Sequence, residues 1–204
     1  MNKWKKLAEN EIVDKTIKAL GLNGINAIVV ENGEEAKKKA LEIIPEGAEV
    51  MNMTSVTADS IGLTDEILNS GKYDAVKNKL MKMDRNTDSL EMQKMGSAPE
   101  WAVGSVHAVT EDGKVVIGSN SGSQLPGYAY GAAHIVWIVG TQKIVKNLDE
   151  GVKRVYDHVL PLESERAIKA YGVDGSFVSK MLIINKENVK DRITLIFVKE
   201  LLGY

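Results

Sequence analysis

Apolar positions in the first twenty residues recur at helical spacing. Trp4, Leu7, Ala8, Ile12, Val13, Ile17 and Leu20 share one stripe, with lysines and acids elsewhere. The pattern predicts an amphipathic helix over residues 1–20, ended by Gly21 and Gly24. Residues 25–30 then form a candidate buried strand. Asn32, with Glu35 three residues on, starts a second helix as an N-cap with a reciprocal partner. Ala36, Ala40, Leu41 and Ile44 are its stripe, and Pro45 with Gly47 stops it. Residues 50–53 read as a strand that Asn52 interrupts. A polar turn, Thr54-Ser55-Val56-Thr57, leads from it into a helix over 58–68. Tyr73, Val76, Leu80 and Met83 give a further helical stripe, and the polar, Met-bearing segment 82–99 fits either a mobile lid or a surface helix.

The second half is richer in β-branched runs. Strands are predicted over 102–110, 114–118 and 134–139, with Asp112-Gly113 as a hairpin turn between the first two. Asn147, with Glu150 at its third position, caps a helix carrying Leu148, Val152, Val155, Tyr156 and Val159, and Pro161 stops it. A short helix over 163–171 and strands over 181–185 and 193–198 close the chain. Helix, strand–helix repeats, a hairpin and then strands and helices again predict an α/β fold: a mixed, largely parallel sheet flanked by helices. With no long linker or internal repeat, residues 1–204 are expected to form one domain with an N-terminal helix over 1–20.

Composition narrows the function classes. Hydrophobic residues make up 44% and charged residues 26%, as in ordinary soluble globular proteins. With two Phe, the core must rest on aliphatic side chains. A net charge of −2 provides no global field to recruit nucleic acid or an anionic membrane. The longest apolar run, 135–139, is too short to span a bilayer, and the basic start is interrupted by Glu9 and Glu11, so a cytoplasmic protein is expected. The chain has no cysteine, so a catalytic thiol, a disulfide and a Cys-ligated zinc or iron–sulfur site are excluded within it. No cofactor is expected.

Ligands of open α/β sheets collect at the carboxyl ends of strands, and three polar turns fall at predicted strand ends. They are Thr54 to Thr57, Ser119 to Gln124, and Gly140 to Lys143. Read functionally, Ser55, Thr57, Ser119, Ser121, Gly122, Ser123, Gln124, Gln142 and Lys143 bind a phosphate or carboxylate, with backbone N–H groups near Ser121, Gly122 and Ser123 as the cradle and Lys143 as a point charge. Read structurally, they are turns that need small residues. Glu111 is either a carboxylate base or nucleophile at the cleft rim or simply part of the hairpin. His107 is either an acid–base group or a core histidine. No histidine spacing suits a metal, and no Ser-His-Asp order, Walker A or GxGxxG is present.

The stretch Gly104 to Gly113 resembles the LUD domain, the lactate-utilisation protein C family. So do Ser121-Gly122-Ser123-Gln124, Gly140-Thr141-Gln142-Lys143-Ile144, Pro161-Leu162-Glu163, Tyr171-Gly172, Arg192-Ile193-Thr194 and Glu200-Leu201-Leu202-Gly203. Ser55-Val56-Thr57 and Ile61-Gly62 look like the family's earlier signatures, with Ala58 where Leu commonly follows. The resemblance covers roughly residues 10–204. It implies the fold of the ribose-5-phosphate isomerase, glucosamine-6-phosphate deaminase and coenzyme A transferase group. It also implies a role in lactate or related organic-acid use beside iron–sulfur subunits, in which a cysteine-free chain is the cluster-free partner. Three readings follow: a protein binding a small anionic metabolite as a non-redox subunit or enzyme, a metabolite sensor without chemistry, and an isomerase or acyl-transfer enzyme on a phosphorylated ligand. Apolar surface from Trp4, Leu7, Ile12 and Met81 to Met95 leads us to expect a homodimer.

Overall fold

The computed structural model describes residues 2–204 and arranges ten strands in two sheets. The larger sheet holds β1 (Asn26–Val30), β2 (Glu49–Asn52), β3 (Asp74–Ala75), β4 (Trp101–Gly104), β7 (His134–Gly140) and β10 (Ile193–Val198). Its order is β1-β10-β7-β4-β2-β3, and every pairing is parallel. The smaller sheet, in the order β8-β5-β6-β9, holds β5 (Ala108–Thr110), β6 (Val115–Ser119), β8 (Ile144–Val145) and β9 (Lys180–Ile184). There β5 runs antiparallel to β6 and parallel to β8, and β9 runs antiparallel to β6. The fold is α/β with a largely parallel sheet flanked by helices, as the element order predicts.

Strand β7 shows why the larger sheet is buried on both faces. Its side chains alternate, so Ile135, Trp137 and Val139 enter one core while Val136 and Ile138 enter another. The first core lies between the two sheets and takes Val109, Val115 and Ile117 from the smaller one. Val13 and Leu20 join it from helix α1 (Asn10–Leu22). The second core packs the far face against α2 (Gly33–Ile43) and α4 (Leu63–Asn69) through Ala36, Ala40, Leu63 and Ile67. A third core covers the outer face of the smaller sheet, where Ala108, Val116 and Val145 meet Trp4 and Val155.

Both predicted caps form. Asn32 Oδ1 accepts from Glu35 N–H at 2.9 Å, and Asn147 Oδ1 accepts from Glu150 N–H at 3.0 Å. The return bond from Glu35 goes to Glu31 N–H at 3.0 Å, one residue before the cap. The Glu111–Gly113 turn joins β5 to β6, with Gly113 at φ 83°. A side chain at Gly113 would meet the backbone of Ala19 in α1, so the turn is seated against that helix.

Several elements depart from the sequence pattern. The N-terminal helix starts at Asn10; Trp4 belongs to a short 3-10 turn, Lys3–Lys5, and is buried rather than adding apolar surface. The helix predicted over 58–68 is two, α3 (Val56–Ser60) and α4, because Gly62 adopts φ 68° between them. Residues 73–83 form β3 and then α5 (Val76–Leu80). The 82–99 segment carries the surface helix α6 (Ser89–Ser97), which buries no residue.

Two departures shape the site. The predicted strand over 102–110 is broken: the chain leaves the larger sheet after Gly104 and enters the smaller one at Ala108. Pro161 does not stop the helix begun at Asn147. Helix α7 (Leu148–Arg154) passes through a π turn, Val155–Val159, into α8 (Leu160–Tyr171). The wider turn, closed by Leu160 N–H donating to Val155 O, makes room for a ring that would clash in a regular helix. No helix among the described residues is long and apolar enough to cross a membrane.

Arg192 ties the segment before β7 to the segment before β10. Its guanidinium is buried and donates to Ala132 O at 2.8 Å and Gly127 O at 3.0 Å, and pairs with Glu187 at 2.7 Å. Arg192→Met leaves those carbonyls and a mostly buried carboxylate without their donor. It should destabilise the fold by roughly 3–5 kcal/mol in urea or guanidinium unfolding.

Candidate functional site

Strands β2, β4 and β7 lie side by side and parallel, so the segments that follow them emerge at one edge. These are Met53 to Thr57, Ser105 to His107, and Thr141 to Lys143. Ser55 caps α3 by accepting from Ala58 N–H at 3.2 Å, which fixes the start of that helix at the edge. The loop after β6, beginning at Ser119, faces them from the smaller sheet. The helix 148–171 and the segment 173–178 supply the remaining walls. Together they enclose a cleft of about 530 Å³.

The break after β4 falls at a glycine. A Cβ on Gly104 would collide with the Tyr128 hydroxyl, so the chain passes there without a side chain and turns away. The released segment carries Ser105 and His107 into the cleft wall. Three elements hold it. Lys143 Nζ donates to Ser105 Oγ at 3.1 Å, Arg154 donates to His107 O at 2.6 Å, and Gly118 N–H donates to His107 Nδ1 at 2.9 Å. An acceptor Nδ1 is unprotonated, so Nε2 carries the hydrogen of the neutral ring. Burial, then Lys143 and Arg154, push the His107 pKa down to about 3, against the opposing pull of Glu163.

Two basic side chains are buried here without a buried counter-ion: Lys143, which lines the cleft, and Arg154, which lies outside the lining. Lys143 is 2% exposed, and its amine contacts two hydroxyls, Thr57 Oγ1 at 3.0 Å and Ser105 Oγ. Burial, and then Arg154, hold its pKa well below the ordinary lysine value. Arg154 is fully buried, and its Nε and Nη2 have no partner. Among the described residues no carboxylate is in salt-bridge contact with either. Lys77, Arg85 and Arg166 also line the cleft, against one carboxylate, Glu163.

Glu163 accepts from Arg166 at 2.8 and 2.7 Å and from the Tyr204 hydroxyl at 2.5 Å. Burial works against its charge, but the hydrogen bonds from Arg166 and Tyr204 outweigh it and leave the carboxyl below its ordinary range. Burial and Glu163 push Tyr204 the other way, so it stays a proton donor. Asn52 also lines the cleft, buried, with both amide atoms unpartnered. Among the described residues no group of three His, Cys, Asp or Glu is placed to hold a metal ion.

Of the residues marked by sequence, Ser55, Thr57, His107, Ser119, Ser121, Ser123, Gln124 and Lys143 come together here. Three do not. Glu111 pairs with Lys15 at 2.7 Å in a separate groove between α1 and the hairpin. Gln142 is buried, and its Nε2 donates to Leu202 O at 2.9 Å, which anchors the C-terminal segment. Gly122 is a turn residue at φ 85° whose missing Cβ leaves space for the Lys180 stem.

The expected backbone cradle is also corrected. Gly122 N–H donates to Ser119 Oγ at 2.9 Å and Ser123 N–H to Ser121 Oγ at 3.2 Å, so the loop's hydroxyls already occupy those donors. Sequence reasoning did not place the Glu163–Arg166 ion pair in the cleft wall. It missed Arg154 and Tyr204. Asn52 had left a signal, a polar residue interrupting an apolar strand.

A parallel sheet whose carboxyl edge is closed by a second, smaller sheet over a polar cleft defines an α/β domain with a candidate site at that edge. The LUD domain model matches residues 13–198, and the chain belongs to the LUD domain family. A DUF162 family protein from Deinococcus radiodurans is similar in structure, with a TM-score of 0.55 at 12% identity over 95% of this chain and 99% of that one. A D-ribose-5-phosphate isomerase in complex with phospho-erythronic acid aligns with a TM-score of 0.41 at 12% identity over 82% of this chain and 94% of that one. For ribose 5-phosphate isomerase A from Neisseria gonorrhoeae the TM-score is 0.35 at 16% identity, over 57% and 54% of the two chains. No curated protein matches the chain.

Two outcomes are expected. Lys143→Met keeps the side-chain volume and removes the buried amine. Thr57 can still donate to Leu202 O, so the unfolding free energy should change by no more than about 1 kcal/mol. The second concerns pH. His107 titrates near 3 when folded and near its ordinary value when unfolded, so its contribution is complete above about pH 6.5 and is lost as pH falls toward 3. His158, lowered to about 4, acts in the same direction. Stability should decline over that interval by at most about 1.4 kcal/mol per pH unit for each proton. His107→Asn keeps an acceptor for Gly118 N–H and should flatten the curve in denaturant titrations at pH 7 and 4.

Proposed function

We propose that this LUD-domain protein binds a small anionic metabolite, a carboxylate or phosphate, in the cleft at the carboxyl edge of the larger sheet. The observation that carries the reading is the buried amine of Lys143 in the cleft lining, with no carboxylate beside it. Buried charges are stable when paired, and an anion in the cleft supplies the missing partner. The hydroxyls of Ser55, Thr57 and Ser105, the Nε2–H of His107 and the free amide of Asn52 add uncharged hydrogen-bonding groups. A net positive lining in a chain of net charge −2 also favours an anion.

Membership of the LUD family supports a place in lactate or related organic-acid use, with this chain as a cluster-free component beside an iron–sulfur subunit in the cytoplasm. Among the alternatives, one observation favours an enzyme over a sensor. Glu163, hydrogen-bonded to Tyr204, puts a carboxylate and a proton donor in the same cleft as Lys143 and His107, the kind of set that isomerase or acyl-transfer chemistry needs. Self-association as a two-fold dimer belongs to the same proposal, with Met81, Leu90 and Tyr130 as exposed apolar groups.

Calorimetric titration with lactate, pyruvate, inorganic phosphate and short phosphate esters tests the reading. The best ligand should lose at least about tenfold in affinity in Lys143→Met, or ~1.4 kcal/mol. An anion restores the ammonium form that burial disfavours, so binding should take up protons and weaken as pH rises. Equal affinities for the parent and the folded variant would place the anion elsewhere.

A further inference from the structure

We propose that Lys143 is a nucleophile that forms an imine with a small aldehyde or ketone bearing its own anionic group. The inference rests on reading the cleft as an anion site and goes beyond it by giving the amine a reaction. The juxtaposition is specific. The Nζ of Lys143 faces the cleft with two hydroxyls as its contacts, Thr57 Oγ1 at 3.0 Å and Ser105 Oγ at 3.1 Å, and with no carboxylate to hold it as an ammonium ion. A lysine kept for charge alone is normally paired; one kept among hydroxyls beside a second buried cation, Arg154, favours the free amine, the reactive form.

The product explains why the carbonyl compound must be anionic. The nitrogen lone pair forms the C–N bond as the carbonyl π pair moves to oxygen. One amine proton and one proton from solvent then convert that oxygen to water. Water departs as the nitrogen lone pair closes the C=N bond, leaving a protonated imine. No oxidant or reductant is consumed. The protonated imine puts a positive charge where burial and Arg154 disfavour one. A carboxylate or phosphate on the same ligand neutralises it, and an uncharged carbonyl compound does not.

The test is reductive trapping of the whole protein. Pyruvate and glycolaldehyde phosphate serve as carboxylate and phosphate probes, acetone as the uncharged control, and cyanoborohydride as the trap. Peptide mapping locates the product, and calorimetry measures binding of each probe without the trap. The expected result with pyruvate is a mass increment of pyruvic acid less one oxygen atom, located on Lys143. It should be suppressed by excess inorganic phosphate, absent from Lys143→Met, and at least tenfold less with acetone. The site is read in the parent protein, so the conclusion does not depend on the variant folding. Binding of either anionic probe without an adduct at Lys143, or labelling spread evenly over surface lysines, overturns the imine and leaves the anion site standing. Absence of both binding and adduct overturns both readings.

Discussion

The structure depends on how the chain passes from one sheet to the other between Gly104 and Ala108. Parallel pairing on both sides of β4 commits it to the larger sheet as far as Gly104, where the Tyr128 hydroxyl leaves no room for a Cβ. The three residues that follow lie outside both ladders, so their polar groups must find partners elsewhere. The partners come from β6, from the turn after β7 and from the last residue of α7, which are distant in sequence. Two of the three are cations. Those bonds place Lys143 in the cleft lining and bury Arg154 against the His107 carbonyl, outside that lining. In this region fold and site are one arrangement.

Most elements were legible because their signals are local. The alternation in β7, the caps at Asn32 and Asn147 and the Asp112-Gly113 turn depend on a few adjacent residues, and each formed as expected. The errors fall where a local rule met a tertiary constraint. Residues 102–110 have the composition of one strand, and nothing within them announces that Tyr128 will crowd Gly104. Pro161 is a helix breaker by its own chemistry, but the π turn before it widens the helix enough to continue. Trp4 fits a helical stripe, yet it is drawn into the third core by Ala108, Val116 and Val145, which are distant in sequence.

The site was legible in part for the same reason. Polar turns at strand ends are visible in a sequence, so Thr57, Ser119 and Lys143 were found. The partner of a charge is not visible. Glu111 looked like a rim carboxylate until Lys15 of α1 proved to hold it outside the cleft, while Glu163 is brought in by a helix that was expected to have ended at Pro161. The glycine-and-serine loop was correctly placed but wrongly wired: its hydroxyls cap its own N–H groups, which shapes the loop without leaving those donors for a ligand.

That internal capping has a consequence for recognition. With the N–H groups of Gly122 and Ser123 taken, the proposed anion would be selected mainly by side chains that enter from the other walls. Lys143 and Arg154 are fixed by the sheet junction, whereas Lys77 and Arg85 belong to α5 and the exposed segment after it. The first pair is desolvated, so its field acts at low effective dielectric and changes little with salt; the second is solvated and screened. An anion held deep in the cleft, as proposed, would meet Lys143 at low effective dielectric and restore its ammonium form. Tyr171 and Phe177 are exposed in the same lining, so a longer ligand would meet apolar surface there.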